Sequence, residues 1–223
     1  MDNDYLIPNG YHNITNFVKG GRYMLFETIT QLQEKRAEWV LRRQQGIPNN
    51  RKLFVLACMD ERLPVEEALG IGPGDAHVFR NAGGLVTDDV IRSAMLTTNF
   101  FGTEEIVIVN HTECGMMSAS TEDLIKSLES SIGDLSAVAL DPALPELQLT
   151  TSTALGRWIK MFEDVDEISM AQVAYLKNHP FIPSHVQIHS YVYEVETGQL
   201  RNPYARLSEH VNTRKSMKKP VKQ

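Results

Sequence analysis

Cysteine is scarce in this sequence. Its 223 residues include two, Cys58 and Cys114. One disulfide is conceivable, but a chain of this length buries a core without a covalent staple. Two reduced thiols available to a metal fit better. Long apolar runs are also missing: no stretch approaches the roughly 20 residues of a membrane span. The first residues lack the basic start and apolar stretch of a secretory leader. Basic residues do not dominate either, with 22 Lys and Arg against 28 Asp and Glu for a net charge of -6. That balance gives no support to a nucleic-acid footprint. The expectation is a soluble cytoplasmic protein of one domain, residues 1–223, with neither membrane nor nucleic acid as a partner.

The chain divides by pattern. Residues 1–21 are polar and glycine-containing, as in an arm or loop. Leu25, Ile29, Leu32, Trp39 and Val40 then recur at near-helical spacing over Arg22–Arg43, which reads as a surface helix or as an arm for another subunit. Residues 1–50 thus form an N-terminal arm and helix ahead of an α/β core at 51–200. Within that core, Leu53–Ala57 is a continuous apolar run, as expected of a strand buried on both faces. His77–Arg80 and Glu105–Val109 give further strands. Between them, Thr87 is placed to cap a helix with Asp88 and Asp89 in its first turn and Val90, Ile91, Ala94, Met95, Thr98 and Phe101 as its packing stripe. Glu122–Leu128, Leu155–Phe162 and Ile168–Asn178 read as helices, with an insertion around 129–168. Val186–Val195 alternates as a strand, and Gly198 turns the chain toward a basic, exposed extension at 201–223. Strands separated by helices predict a mostly parallel central sheet flanked by helices, with reactive residues at the strands' carboxyl ends.

Chemistry concentrates in two short segments, Cys58-Met59-Asp60-Glu61-Arg62 and His111-Thr112-Glu113-Cys114. Cys58 ends one predicted strand and His111 follows another. Adjacent strands lie about 4.8 Å apart, so the two residues can meet, and Cys114 is close enough in sequence to turn back to the same point. Two thiolates and one imidazole suit zinc and leave a fourth position for water. A core cysteine beside a hydrogen-bonded histidine is the plainer reading. Asp60 and Arg62 form either an ordinary ion pair or an arrangement in which Arg62 keeps Asp60 ionised and oriented toward metal-activated water. Asp60 entering the metal's coordination sphere would instead close the site. In Arg80-Asn81-Ala82-Gly83-Gly84, the glycines serve a structural turn or expose a backbone N–H to a reacting atom. Glu113 reads as surface-exposed, and His77 and His189 as packed or hydrogen-bonded rather than metal ligands.

These segments resemble the β-carbonic anhydrase family. Its Cys-x-Asp-x-Arg motif corresponds to Cys58, Asp60 and Arg62, its His-x-x-Cys motif to His111 and Cys114, and its intervening loop to Arg80–Gly84. The resemblance implies a β-carbonic-anhydrase-like α/β fold and one zinc ion per chain, held by Cys58, His111 and Cys114. Asp60 and Arg62 are then the catalytic pair. A homodimer is the implied basic unit, within a larger homo-oligomer. A carbon disulfide-hydrolysing branch of the family is similar over Gly46–Arg51, Cys58–Arg62, Arg80–Gly84, Leu96–Thr103 and Tyr191–Gly198. It implies conversion of carbon disulfide through carbonyl sulfide to carbon dioxide and hydrogen sulfide. The alternatives are carbon dioxide hydration, carbonyl sulfide hydrolysis, and zinc binding without catalysis. An apolar entrance would favour the neutral substrate by penalising desolvation of an anion. Phe79, Gly83, Gly84, Leu85, Phe100 and Phe101 are the candidate pocket residues, although each aromatic or aliphatic one is more often a core residue.

Overall fold

A computed structural model describes residues 48–118, 120–133, 138–141 and 143–205. The expected Arg22–Arg43 helix, most of the N-terminal arm and all but the first residues of the C-terminal extension lie outside the described residues.

A five-stranded sheet organises the described chain, in the order β2-β1-β3-β6-β7. Its strands are β1 (Leu53–Cys58), β2 (Ala76–Asn81), β3 (Glu105–His111), β6 (Gln187–Glu194) and β7 (Gln199–Arg201). The first four are mutually parallel, and β7 returns antiparallel along β6. Every residue of β1 is buried, as is every residue of β3 except Glu105. Central strands covered on both faces carry apolar residues without alternation. β6 alternates instead, with Ile188, Ser190 and Val192 buried and Gln187, His189 and Tyr191 exposed.

Two apolar layers sandwich the sheet. On one face α2 (Asp88–Phe100) and α5 (Val165–Lys177) contribute Val90, Ala94, Val173 and Leu176, which pack on Phe54, Leu56, Ile106, Ile108 and Ile188. On the other, the short α1 (Val65–Leu69) and the segment after Cys114 cover Leu53, Val55, Ala57, Val107 and Val109. Thr87 occupies the first position before α2, but its side chain makes no capping hydrogen bond; Asp88 and Asp89 bring negative charge to that turn. Phe101 is not part of the helix's packing stripe, because α2 ends at Phe100 and Phe101 is 39% exposed.

The stretch 129–168 resolves into recognisable pieces. α3 (Thr121–Ile132) overruns the expected helix, and β4 (Val138–Ala139) pairs antiparallel with β5 (Gln148–Leu149). α4 (Ser152–Ile159) starts three residues before the expected Leu155, because Thr151 caps it by accepting from the Ala154 N–H. α5 also starts three residues early, where the Asp164 carboxylate accepts from the Asp166 and Glu167 N–H groups.

Candidate metal centre

Register decides where the chemistry sits. Ala57 lies opposite Val109, so β1 and β3 deliver Cys58 and His111 to the same carboxyl edge of the sheet. Beyond His111 the chain doubles back through Glu113, whose φ of 53° is left-handed, and this brings Cys114 to the same point. Cys58, His111 and Cys114 are all buried, and their ligand atoms lie within 4.8 Å of one another. The two sulfurs are 4.0 Å apart.

The donor set passes a direct test for a metal. His111 Nδ1 lies 2.7 Å from the Thr112 carbonyl, which can only accept, so this nitrogen carries the proton. The Nε2 lone pair then faces the thiols. That nitrogen is buried and has no hydrogen-bond partner among the described residues, the closest charged oxygen being Asp60 Oδ2 at 3.7 Å. A buried acceptor without a donor is costly unless something electrophilic meets it. A cation there satisfies Nε2 and both sulfurs, and two thiolates with an imidazole are the soft and borderline donors that suit zinc.

Protonation follows the same logic. A hydrogen bond from Cys114 is the largest influence on Cys58. It acts against burial and is helped by His111, holding the Cys58 thiol down at about 4. Cys114 is pushed up by the neighbouring Cys58 sulfur and by burial. The opposed shifts mark the two sulfurs as one coupled acid–base pair. Burial alone would lower His111, but Cys58, the Thr112 carbonyl and Asp60 together raise it. Negative groups that favour a proton there also favour a metal cation in its place.

Asp60 stands beside this cluster. Arg62 donates from its backbone N–H and from Nε to Asp60 Oδ1, both at 2.9 Å, and from Nη2 to Oδ2 at 2.9 Å. These bonds hold the Asp60 carboxyl well below the usual carboxylate range. Arg62 also reaches Glu113, through Nη1 to Oε2 at 3.0 Å and Nη2 to the backbone carbonyl at 3.1 Å. Glu113 is indeed exposed, yet it ties the second motif to the first, a role that its sequence position alone did not reveal. Arg80, at the end of a predicted strand and the start of the glycine loop, has a further role that its position alone does not reveal. Its Nε donates to the Cys58 carbonyl at 2.9 Å and its Nη2 to the Asp60 carbonyl at 2.6 Å, bracing the backbone on either side of Met59.

The candidate pocket residues separate into two groups. Gly83, Gly84 and Leu85 are buried, with Gly84 against the Cys58 backbone and the Leu85 side chain over Gly83. A Cβ on Gly84 would lie 2.7 Å from the Cys58 nitrogen, and one on Gly83 would lie 3.1 Å from Met116 Cγ, just beyond Cys114. Phe79 packs on Phe54 with ring centroids 6.4 Å apart, on the α2 face of the sheet. Together with Phe101 it lines an apolar pocket that none of the three ligands enters. Phe100, 71% exposed, and Phe101 end a helix that runs back toward the amino edge of the sheet. There Glu104 bonds to Lys52, just ahead of β1. Within one chain, then, Phe79, Phe100 and Phe101 are not at the cluster, because α2 carries the last two to the opposite edge. His189 lies 3.8 Å from Glu105 on the sheet and His77 is on β2, neither in the cluster. His77 is half-buried and lines the same apolar pocket as Phe79, and its Nε2 has no hydrogen-bond partner among the described residues.

Comparison with known proteins places this geometry in context. The family model described as carbonic anhydrase matches residues 53–200. A carbon disulfide hydrolase from Acidithiobacillus thiooxidans is 62% identical over 186 residues, covering 82% of this chain and 93% of the relative. Beta-carbonic anhydrase 1 of Mycobacterium tuberculosis is 32% identical, covering 69% of this chain and 83% of its own. Among solved structures, the apo form of a carbon disulfide hydrolase superposes with a TM-score of 0.70 at 45% identity. That match covers 89% of this chain and 98% of the other.

Proposed function

The chain belongs to the carbonic anhydrase family, and from that premise we propose that it is a zinc-dependent hydrolase acting on carbon disulfide. The observation that carries this reading is 62% identity, sustained over 82% of the chain, to a carbon disulfide hydrolase. The identity to a β-carbonic anhydrase is about half that and covers less of the chain. The reaction balances as two hydrations. Carbon disulfide and water give carbonyl sulfide and hydrogen sulfide; carbonyl sulfide and a second water give carbon dioxide and another hydrogen sulfide.

Cys58 Sγ, His111 Nε2 and Cys114 Sγ would hold the zinc, one ion per chain. When bound, it supplies a Lewis acid that lowers the pKa of water and steadies charge developing on sulfur. The protein's own groups set the rest. Thr112, by accepting the Nδ1 proton, fixes the ring of His111 in the orientation that presents Nε2. Arg62 keeps Asp60 ionised, so Oδ2 accepts a hydrogen bond from the attacking water and orients its lone pair toward the substrate carbon. Both Asp60 oxygens are engaged by Arg62, which supports an Asp60 that stays outside the metal's ligand set. Gly83 and Gly84 would close the buried side of the site, since Gly84 packs on the Cys58 backbone and Gly83 on Met116.

A homodimer, assembled into larger homo-oligomers, belongs to the same reading. Phe100 and Phe101 form an exposed apolar surface suited to burial between subunits. Mass in solution across a wide concentration range tests this, and a persistent, fully active monomer would reject it. Assays with carbon disulfide, carbonyl sulfide and carbon dioxide test the substrate.

A further inference from the structure

Asn110 precedes His111 on β3 and is fully buried. Successive strand residues point to opposite faces. The backbone that presents His111 to the two thiols therefore presents Asn110 the other way, toward the loop after β2. Asn110 Nδ2 donates to the Gly83 carbonyl at 2.7 Å and to the Gly84 carbonyl at 3.2 Å. Its Oδ1 accepts from Gln172 Nε2 at 3.3 Å. Gln172, 5% exposed on α5, accepts the Val86 N–H on Oε1 at 2.5 Å. These bonds form one directional relay, from Val86 N–H through Gln172 and Asn110 to the two glycine carbonyls. Turning either amide over would set oxygen against oxygen or N–H against N–H, so each orientation fixes the other.

The loop held in this way touches the metal cluster's backbone. Gly84 approaches the Cys58 nitrogen too closely for any side chain and has a φ of 61°. A trans peptide places its N–H opposite its carbonyl. Because the Gly83 carbonyl points at Asn110, the Gly84 N–H points away from Asn110. We propose that Asn110 and Gln172 are positioning residues for the reaction: their relay sets the Gly83–Gly84 backbone beside Cys58, and neither touches metal or substrate. The proposal rests on the hydrolytic reading above.

Two variants test it. Gln172→Glu keeps an acceptor for Val86 and loses the donor to Asn110; Asn110→Leu removes all three of that side chain's bonds. Four readouts are needed: metal per chain, the absorption spectrum of cobalt-substituted protein, amide exchange at residues 83–86, and kcat and KM. The last two are measured with whichever of carbon disulfide, carbonyl sulfide or carbon dioxide the wild-type chain turns over. The expected result is full metal content and an unchanged cobalt spectrum. Loop amides should exchange faster, and kcat should fall roughly tenfold or more with KM nearly constant. The Gln172→Glu deficit relative to wild type should shrink as pH falls, because the protonated carboxyl can again donate to Asn110; burial brings that protonation into an accessible range. Normal kcat in both variants, or activity that merely tracks lost metal, would overturn the proposal. Should Asn110→Leu fail to fold, Gln172→Glu and its pH profile decide alone. A wild-type chain inactive on all three substrates would instead count against the functional reading itself.

Discussion

Arg62 binds Asp60 at both oxygens, Nε to Oδ1 and Nη2 to Oδ2, each at 2.9 Å. Asp60 is thereby ionised and aimed before any substrate arrives. Asp60→Asn should leave zinc content near one per chain while lowering turnover by about 10- to 100-fold. Metal analysis beside steady-state kinetics checks both halves. Equal activity would reduce Asp60 to a structural partner. The direction of its shift also fixes the pH behaviour. A carboxyl depressed in the folded state contributes stability above its unfolded value near 3.8, and that contribution is lost as pH falls below it. An acid limb of activity near neutrality would therefore not belong to Asp60.

Replacing either sulfur ligand removes a soft donor from a three-residue set. Cys58→Ser and Cys114→Ser should each lose most of their zinc and their turnover, and the loss should extend to folding stability. Chelation of the wild-type chain should reproduce the effect and leave two free cysteines, Cys58 the more readily ionised. Full zinc retention by both variants would mean the ligands have been assigned wrongly.

Gly84 is fixed by the backbone packed against it. Gly84→Ala would place a methyl 2.7 Å from the Cys58 nitrogen and 3.0 Å from the Val109 carbonyl oxygen, at a φ of 61° that disfavours alanine. Unlike a flexible side chain, a backbone cannot give way locally. Thermal or denaturant unfolding should show a loss of about 2–4 kcal/mol. Turnover should fall as well, since the displaced groups carry Cys58. Near wild-type stability would show that the β1 edge yields more easily than this packing implies.

Much of this was legible in the sequence, and for identifiable reasons. Leu53–Ala57 and Ile106–Val109 announce themselves as strands because burial on both faces leaves only apolar residues. The metal ligands follow from strand ends meeting at one edge. That Phe79, Phe100 and Phe101 lie away from the three ligands of their own chain was not legible, because aromatic character reports burial or adhesion, not which edge of the sheet a residue reaches. Asn110 and Gln172 gave no local signal. Their partners lie 26 to 86 residues away, and only the fold brings them together. The starts of α4 and α5 were placed late because Thr151 and Asp164 cap them from positions ahead of the apolar spacing.

The most direct measurement is product formation from carbon disulfide, carbonyl sulfide and carbon dioxide, each at saturation, with zinc-replete protein. The account predicts about two hydrogen sulfide molecules released per carbon disulfide consumed, with carbonyl sulfide appearing transiently and little hydration of carbon dioxide. Rapid carbon dioxide–bicarbonate exchange with no hydrogen sulfide from carbon disulfide would contradict it and make the chain a carbonic anhydrase.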